Sequence, residues 1–184
     1  MVGKSLNRRS LQRKRPASQR SDRYWTPDSA LEPIVKYLRP FKTIWDPCVG
    51  ANHILKFFKK EGFDVIGTDI AKNKNQDFFT IALPTYDCIV TNPPFSLKKQ
   101  FIERCFELKR PFMLLVPLNC LETQGVRKIL AKQKFSIIYP AKNVDYIMPD
   151  APAGKVSRAF FYSVWLTNLP KVKPYEFIEP PVAK

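Results

Sequence analysis

Thr43-Ile44-Trp45-Asp46-Pro47-Cys48-Val49-Gly50-Ala51-Asn52, with Ile54, Leu55, Phe57 and Phe58 after it, reads as a short buried strand, a turn and a helix packed on a sheet. Gly62 ends that helix as a C′ residue, and Val65-Ile66-Gly67-Thr68-Asp69 is the next strand. Upstream, Thr26-Pro27-Asp28 predicts a helix start, with Thr26 as N-cap and Pro27 at N1, followed by Leu31, Ile34, Val35 and Leu38 at helical spacing. Downstream the alternation continues. Asp77 to Thr80 is read as a short third strand, Tyr86 to Thr91 as a fourth, Leu97 to Leu108 as a helix and Phe112 to Val116 as a fifth strand. A helix near Glu122 to Lys132 and strands at Ser136 to Tyr139 and Arg158 to Thr167 complete the series; in the last, Phe160, Tyr162, Val164 and Leu166 share one phase. Alternating strands and helices predict an α/β, Rossmann-like three-layer fold with a mainly parallel seven-stranded sheet. The last two strands have no helix between them, so they are expected to pair antiparallel as a C-terminal hairpin.

The chain has 184 residues, of which 45% are hydrophobic. That suits one domain, taken as 24–168, between a tail at 1–23 and a Pro-rich tail at 169–184 that carries Pro170, Pro174, Pro180 and Pro181. The second tail is expected to be an extended strap or a loose end. The sequence shows neither a membrane-length apolar run nor a secretory h-region, so an intracellular protein is expected, cytoplasmic or, in a eukaryotic host, nuclear. Cys48, Cys88, Cys105 and Cys120 lack the spacing of a zinc site or a disulfide framework, and His53 is the single histidine. No metal is expected, and buried reduced thiols are the simple reading.

Net charge is +15. The segment 1–23 contributes nearly half of it: Lys4, Arg8, Arg9, Arg13, Lys14, Arg15, Arg20 and Arg23 stand against the single acid Asp22. Too few apolar residues lie there to offset the entropy of ordering, so a disordered tail that meets phosphates is expected. Nucleic acid is the expected partner and a membrane surface is not. Further contacts are sought at Lys142, Lys155 and Arg158 in the hairpin 142–158; a solvated charged loop explains those three equally well.

In an open parallel sheet, ligands gather at the carboxyl ends of the strands. Three segments there are chemically unusual: Asp46 to Asn52, Asp69, and Thr91-Asn92-Pro93-Pro94-Phe95. The Asn92 side-chain carbonyl and the Pro93 backbone carbonyl can draw the N–H bonds of an aromatic amine out of its ring plane, which frees the nitrogen lone pair. Pro93 and Pro94 hold φ and remove competing donors, and Phe95 offers a face for stacking on a flipped base. An ordinary turn after a strand is the bland alternative for these residues.

Four motifs in order carry a resemblance. Tyr24-Trp25-Thr26-Pro27, Asp46-Pro47-Cys48-Val49-Gly50, Gln76-Asp77-Phe78 and Asn92-Pro93-Pro94-Phe95 are similar to the motifs of S-adenosylmethionine-dependent amino-methyltransferases, in particular the small adenine-N6 DNA methyltransferases of phages and other viruses. The resemblance covers about residues 23 to 168 and implies transfer of a methyl group to adenine N6 in DNA. It implies cofactor contacts at Tyr24, Trp25, Thr26, Pro27, Asp46, Pro47, Cys48, Gly50, Asp69, Asp77 and Phe78. Asp46 would meet the ammonium, Asp69 the ribose hydroxyls, and Asp77 the cofactor adenine with Phe78 beside its ring. The family's second glycine is replaced by Asn52, a residue that tolerates the left-handed region. No room remains for a separate target-recognition domain, so loops, a partner subunit or a second copy would supply specificity. RNA adenine methylation, protein glutamine-N5 methylation and a non-catalytic nucleic-acid-binding subunit remain alternatives. Glutamine-N5 enzymes usually carry Tyr where Phe95 stands.

Overall fold

The computed structural model describes residues 24–147, 156–158 and 162–178. Arg8, Arg9, Arg13, Lys14 and Arg15 of the basic tail, together with Lys155 and Phe160, lie outside the described residues.

Seven strands form one sheet: β1 Thr43–Asp46, β2 Asp64–Gly67, β3 Cys88–Thr91, β4 Phe112–Pro117, β5 Ser136–Tyr139, β8 Ser163–Thr167 and β9 Tyr175–Phe177, in the order β2-β1-β3-β4-β8-β5-β9. A separate two-stranded ribbon pairs β6 Asp145–Ile147 with β7 Val156–Arg158. Within the sheet, β8 is antiparallel to both β4 and β5, and the other pairs are parallel. The expected antiparallel pairing of the last two predicted strands is therefore present, as β5 with β8.

Helices cover both faces. On one lie α1 Asp28–Leu31, a 3₁₀ turn at Glu32–Ile34 that accommodates Pro33, α2 Val35–Leu38 and α3 His53–Lys60. On the other lie α4 Lys98–Glu107 and α5 Gln124–Leu130. Strand residues alternate between the two cores. Ile44, Cys88, Val90, Met113, Leu115 and Trp165 join the first, while Trp45, Ile89, Phe112, Leu114, Val116, Val164 and Leu166 join the second. Period-2 alternation with both faces apolar makes these central strands continuous hydrophobic runs. Trp165 also donates its indole N–H to the Ala30 carbonyl at 3.2 Å, which ties α1 to the sheet.

Four sequence expectations need correction. Asp77 to Thr80 is a turn, not a strand: Thr80 N–H and Ile81 N–H both donate to the Asp77 carbonyl. Its place among the seven strands is taken by β9, from the Pro-rich segment, whose Pro174 carbonyl accepts from Ile137 N–H at the entry to a parallel ladder. The predicted strand from Arg158 to Thr167 is two strands in two sheets. Finally, Pro27 occupies the N-cap of α1, and the Thr26 hydroxyl caps nothing.

Gly67 of β2 sits where a Cβ would come within 2.3 Å of Leu55 Cδ1 and 2.6 Å of Val49 Cγ1. Helix α3 packs on β2 only because that atom is missing. Gly67→Ala is expected to destabilise the fold by about 1–3 kcal/mol through overpacking. Urea unfolding midpoints of the two proteins measure this, and equal midpoints would contradict the close packing.

Candidate active-site cleft

Strand order reverses between β1 and β3, since β1 leads outward to β2 while β3 leads the other way to β4. A crevice at the carboxyl ends of strands flanking such a reversal is the expected binding place. A cleft of ≈ 140 Å³ lies there, lined by Tyr24, Trp25, Thr26, Asp46, Cys48, Val49, Gly50, Ala51, His53, Ile54, Asp69, Asn92 and Pro94. Three of the four sequence motifs thus meet at one point, although they are spread over about 70 residues of chain.

The turn after β1 has the conformation its residues allow. Gly50 has φ 46° and Asn52 has φ 66°, both in the left-handed region. Asn52 fills the position of the absent glycine without breaking the turn, and its side-chain oxygen accepts from Lys72 Nζ at 2.9 Å. Helix α3 starts at His53, on the rim of the cleft. Asp69 follows β2 and accepts from Gly50 N–H through Oδ2 (2.9 Å) and from Ala71 N–H through Oδ1 (2.8 Å), so it braces the turn.

Asp46 is almost wholly buried, at 1% exposure. Its Oδ1 accepts from the Thr91 hydroxyl at 2.7 Å and from Cys48 N–H at 3.0 Å. Its Oδ2 is buried with no partner. Burial pushes the carboxyl up to about 7, against the opposing pull of the Thr91 and Cys48 hydrogen bonds. Burial likewise pushes the Cys48 thiol well above its ordinary value, with Asp46 adding to the shift, so it stays a neutral thiol.

Asn92 donates through Nδ2 to the Tyr24 carbonyl at 2.8 Å, which leaves Oδ1 buried and unpartnered. Thr26 Oγ1 is the third such atom in the cleft. Buried polar atoms are normally satisfied, and each orphan costs about 1–3 kcal/mol. Three residues that line one small cleft thus each carry a buried oxygen without a donor.

Not every predicted residue reaches this point. Pro27, Pro47 and Pro93 do not line the cleft, and Pro47 and Pro93 are buried. Asp77 is a turn residue whose Oδ1 accepts from Phe79 N–H. Phe78 is a core residue, stacked on Phe101 at 4.7 Å and tilted against Trp45 at 5.5 Å. Phe95 stacks on the Tyr24 ring (5.1 Å, 26°) and meets Tyr146 edge-on (5.9 Å, 75°), so the flat face expected to meet a base is used within the protein. Lys142 is exposed, beyond the cleft lining, and Arg158 belongs to the ribbon.

Sequence reasoning placed Trp25 at the cofactor site but missed what holds it there as the roof of the cleft. Trp25 lies parallel to His53 at 5.2 Å and close to Gly50, with its Cδ1 3.8 Å from where a Cβ would stand. Two backbone hydrogen bonds, Trp25 N–H to Ile147 O (2.9 Å) and Ile147 N–H to Trp25 O (3.0 Å), clamp this segment to β6. No signal in the sequence pairs residue 25 with residue 147.

No protein-family model matches the chain, and no curated protein matches it. Among the described residues, no helix is long and apolar enough to cross a membrane.

The Asp46 environment has a pH signature. The native carboxyl keeps its proton up to about 7, whereas the unfolded chain releases it near 3.8. Stability therefore falls as pH rises through that window, and the penalty is complete above it. Asp46→Asn keeps the acceptor for Thr91 and Cys48 but has no proton to lose. Urea unfolding across the range is expected to show a wild-type decline on the order of 1–4 kcal/mol that the variant lacks. Parallel profiles would mean that Asp46 is ionised in the folded protein throughout.

Proposed function

We propose that the chain is an S-adenosylmethionine-dependent methyltransferase that acts on the exocyclic N6 of adenine in nucleic acid, DNA before RNA. One observation carries this reading: the orphaned oxygens of Thr26, Asp46 and Asn92 share a cleft at the strand-order reversal. The cofactor's donor groups suit the first two. An ammonium pairs with Asp46 Oδ2 once that carboxyl is ionised, and the Thr26 hydroxyl can donate or accept beside it. Gly50 leaves the backbone open to close approach, and the Asp69 oxygens retain lone pairs for ribose hydroxyls. When bound, the cofactor supplies an already activated sulfonium methyl, so no strong base is required of the protein.

The chain's own contribution to the chemistry is at Asn92. The Tyr24 carbonyl holds its amide nitrogen, which fixes the amide in the orientation that leaves Oδ1 as acceptor. An adenine amino group that donates to Oδ1 is pulled towards pyramidal geometry, and its lone pair becomes available. The Pro93-Pro94 pair stiffens the backbone beneath this acceptor. The net charge of +15 supports a polyanionic substrate over a protein glutamine.

The cleft is narrower than the roughly 300 Å³ or more that a ligand of nucleoside size occupies. In this reading the Trp25 ring, stacked on His53 at the cleft, is the wall that would move to admit it. Trp45 and Trp165 are fully buried, so Trp25 is the tryptophan whose surroundings change. Titration with S-adenosylmethionine is expected to alter intrinsic tryptophan fluorescence, and Trp25→Phe to abolish the change. A signal that survives in Trp25→Phe would exclude movement of the roof as its source.

Labelled methyl transfer onto duplex DNA, single-stranded DNA, RNA and protein in parallel, followed by nucleoside mass spectrometry, tests the activity itself. N6-methyladenine is the expected product. Asn92→Ala is expected to reduce turnover about 100-fold or more, as for loss of a preorganised polar group, with cofactor affinity changed only severalfold. Turnover near wild type in that variant would refute the assigned role.

A further inference from the structure

The sheet is wider than the helix layer on one of its faces. On the face of α4 and α5 the second core runs from Trp45 of β1 to Leu166 of β8, with Ile137 and Tyr139 of β5 only partly buried against it. No described helix follows α5, so the outer edge at β9 stands uncovered. Register pairs Ile137 with Tyr175 and Tyr139 with Phe177, and alternation puts all four side chains on this same face. Tyr175 is 69% exposed and Phe177 67%. Tyr139 and Phe177 are stacked at 4.7 Å and 17°, so part of the aromatic surface is already rigid.

Among the described residues, lysines flank this strip at one end. Lys171 and Lys173 lead directly into β9, and Lys134 precedes β5 at the same end of the ladder; all three are exposed. The acid of β9, Glu176, turns to the opposite face, where it lies 3.7 Å from Lys36 of α2. Flat exposed rings flanked by lysines on a sheet surface match the chemistry of unpaired bases on a phosphate chain. Against a second copy as the occupant stands the net charge of +15, which opposes apposition of two like basic surfaces.

We propose that the exposed rings of Tyr175 and Phe177, the latter backed by half-buried Tyr139, bind single-stranded nucleic acid by base stacking, with Lys134, Lys171 and Lys173 meeting its phosphates. The inference rests on the proposed function in taking nucleic acid as the partner, and it adds a surface that grips the strand away from the cleft. Five inter-strand steps separate β1 from β9, about 24 Å at the usual spacing. A strand of about 4–16 nucleotides, the length one stacking module covers, bridges that distance.

The test uses the full chain and a fluorescein-labelled oligothymidylate of about 20 nucleotides, with anisotropy read across a salt series. The probe contains no adenine and the assay no methyl donor, so the result stands whether or not adenine methylation is found. The double variant Tyr175→Ala/Phe177→Ala is expected to bind roughly tenfold or more weakly with an unchanged salt slope, because stacking releases no counterions. Lys171→Ala/Lys173→Ala is expected to lower the slope by about 0.7 per lysine. Both pairs are exposed, so thermal unfolding should match wild type and separate lost binding from lost folding. Wild-type affinity in the aromatic variant would overturn the proposal. So would sedimentation showing a wild-type dimer that the aromatic variant dissociates, since the strip would then join two copies.

Discussion

The Thr91 hydroxyl donates to Asp46 Oδ1 over 2.7 Å, and much of the cleft follows from that bond. Asp46 ends β1 and Thr91 ends β3, the two strands on either side of the reversal in strand order. The same oxygen accepts from Cys48 N–H and so sets the start of the turn that leads through Gly50 to α3. A parallel bond from Trp45 Nε1 to Thr68 Oγ1 joins β1 to the end of β2 at 2.9 Å. Three strand ends are thus locked together by side chains where the backbone ladders stop. A buried carboxylate is a costly means of doing this, because its second oxygen finds no donor. An asparagine or threonine could hold the turn at lower cost. The carboxylate makes sense where a cationic ligand completes its coordination, as the proposed cofactor would.

Asn92 depends on a second constraint, set by a segment far away in sequence. Its amide is oriented by the Tyr24 carbonyl, Tyr24 stacks on Phe95, and Trp25 is clamped to Ile147 of β6. Tyr146, the preceding residue of that strand, meets both rings edge-on and donates to Ser163 Oγ at 2.8 Å. The roof of the cleft, its acceptor and the ribbon therefore form one connected unit. Phe95 serves this unit as a packing residue.

Much of the fold was legible because its signals are local. Thr43 to Asp46 and Phe112 to Val116 are short apolar runs bounded by turn residues, and Gly62 and Asn52 stand where left-handed residues are required. The motif residues Asp46, Gly50, Asp69 and Asn92 converge because they end or closely follow β1, β2 and β3, three neighbouring parallel strands, a placement that strand prediction largely supplies. What failed depended on distant partners. Asp77-Phe78-Phe79 has strand-like composition, but Phe78 is held by Trp45 and Phe101, and the backbone turns to put it there. Strand β9 follows Pro174 and looks like a tail. Proline is tolerated at its entry because that residue's carbonyl, not its nitrogen, joins the ladder, and the pairing is set by β5 some forty residues earlier. Thr26 has the signature of a helix cap, yet its hydroxyl is turned from that use into the cleft wall.

That last substitution of roles bears on whether the fold serves chemistry or only binding. A subunit that kept the architecture merely to hold a nucleic acid would gain stability by satisfying Thr26, Asp46 and Asn92, whose orphaned oxygens together cost several kcal/mol, about 1–3 each. A valine at 26 would remove one orphan without new cost, whereas an amide at 46 would leave a buried donor in place of the oxygen and an aliphatic residue at 92 would strand the Tyr24 carbonyl. The turn holds Asn52 in the left-handed region at φ 66° and needs no glycine there. Three unsatisfied oxygens around one cleft fit the proposed reading, in which a bound ligand supplies the donors that the fold does not.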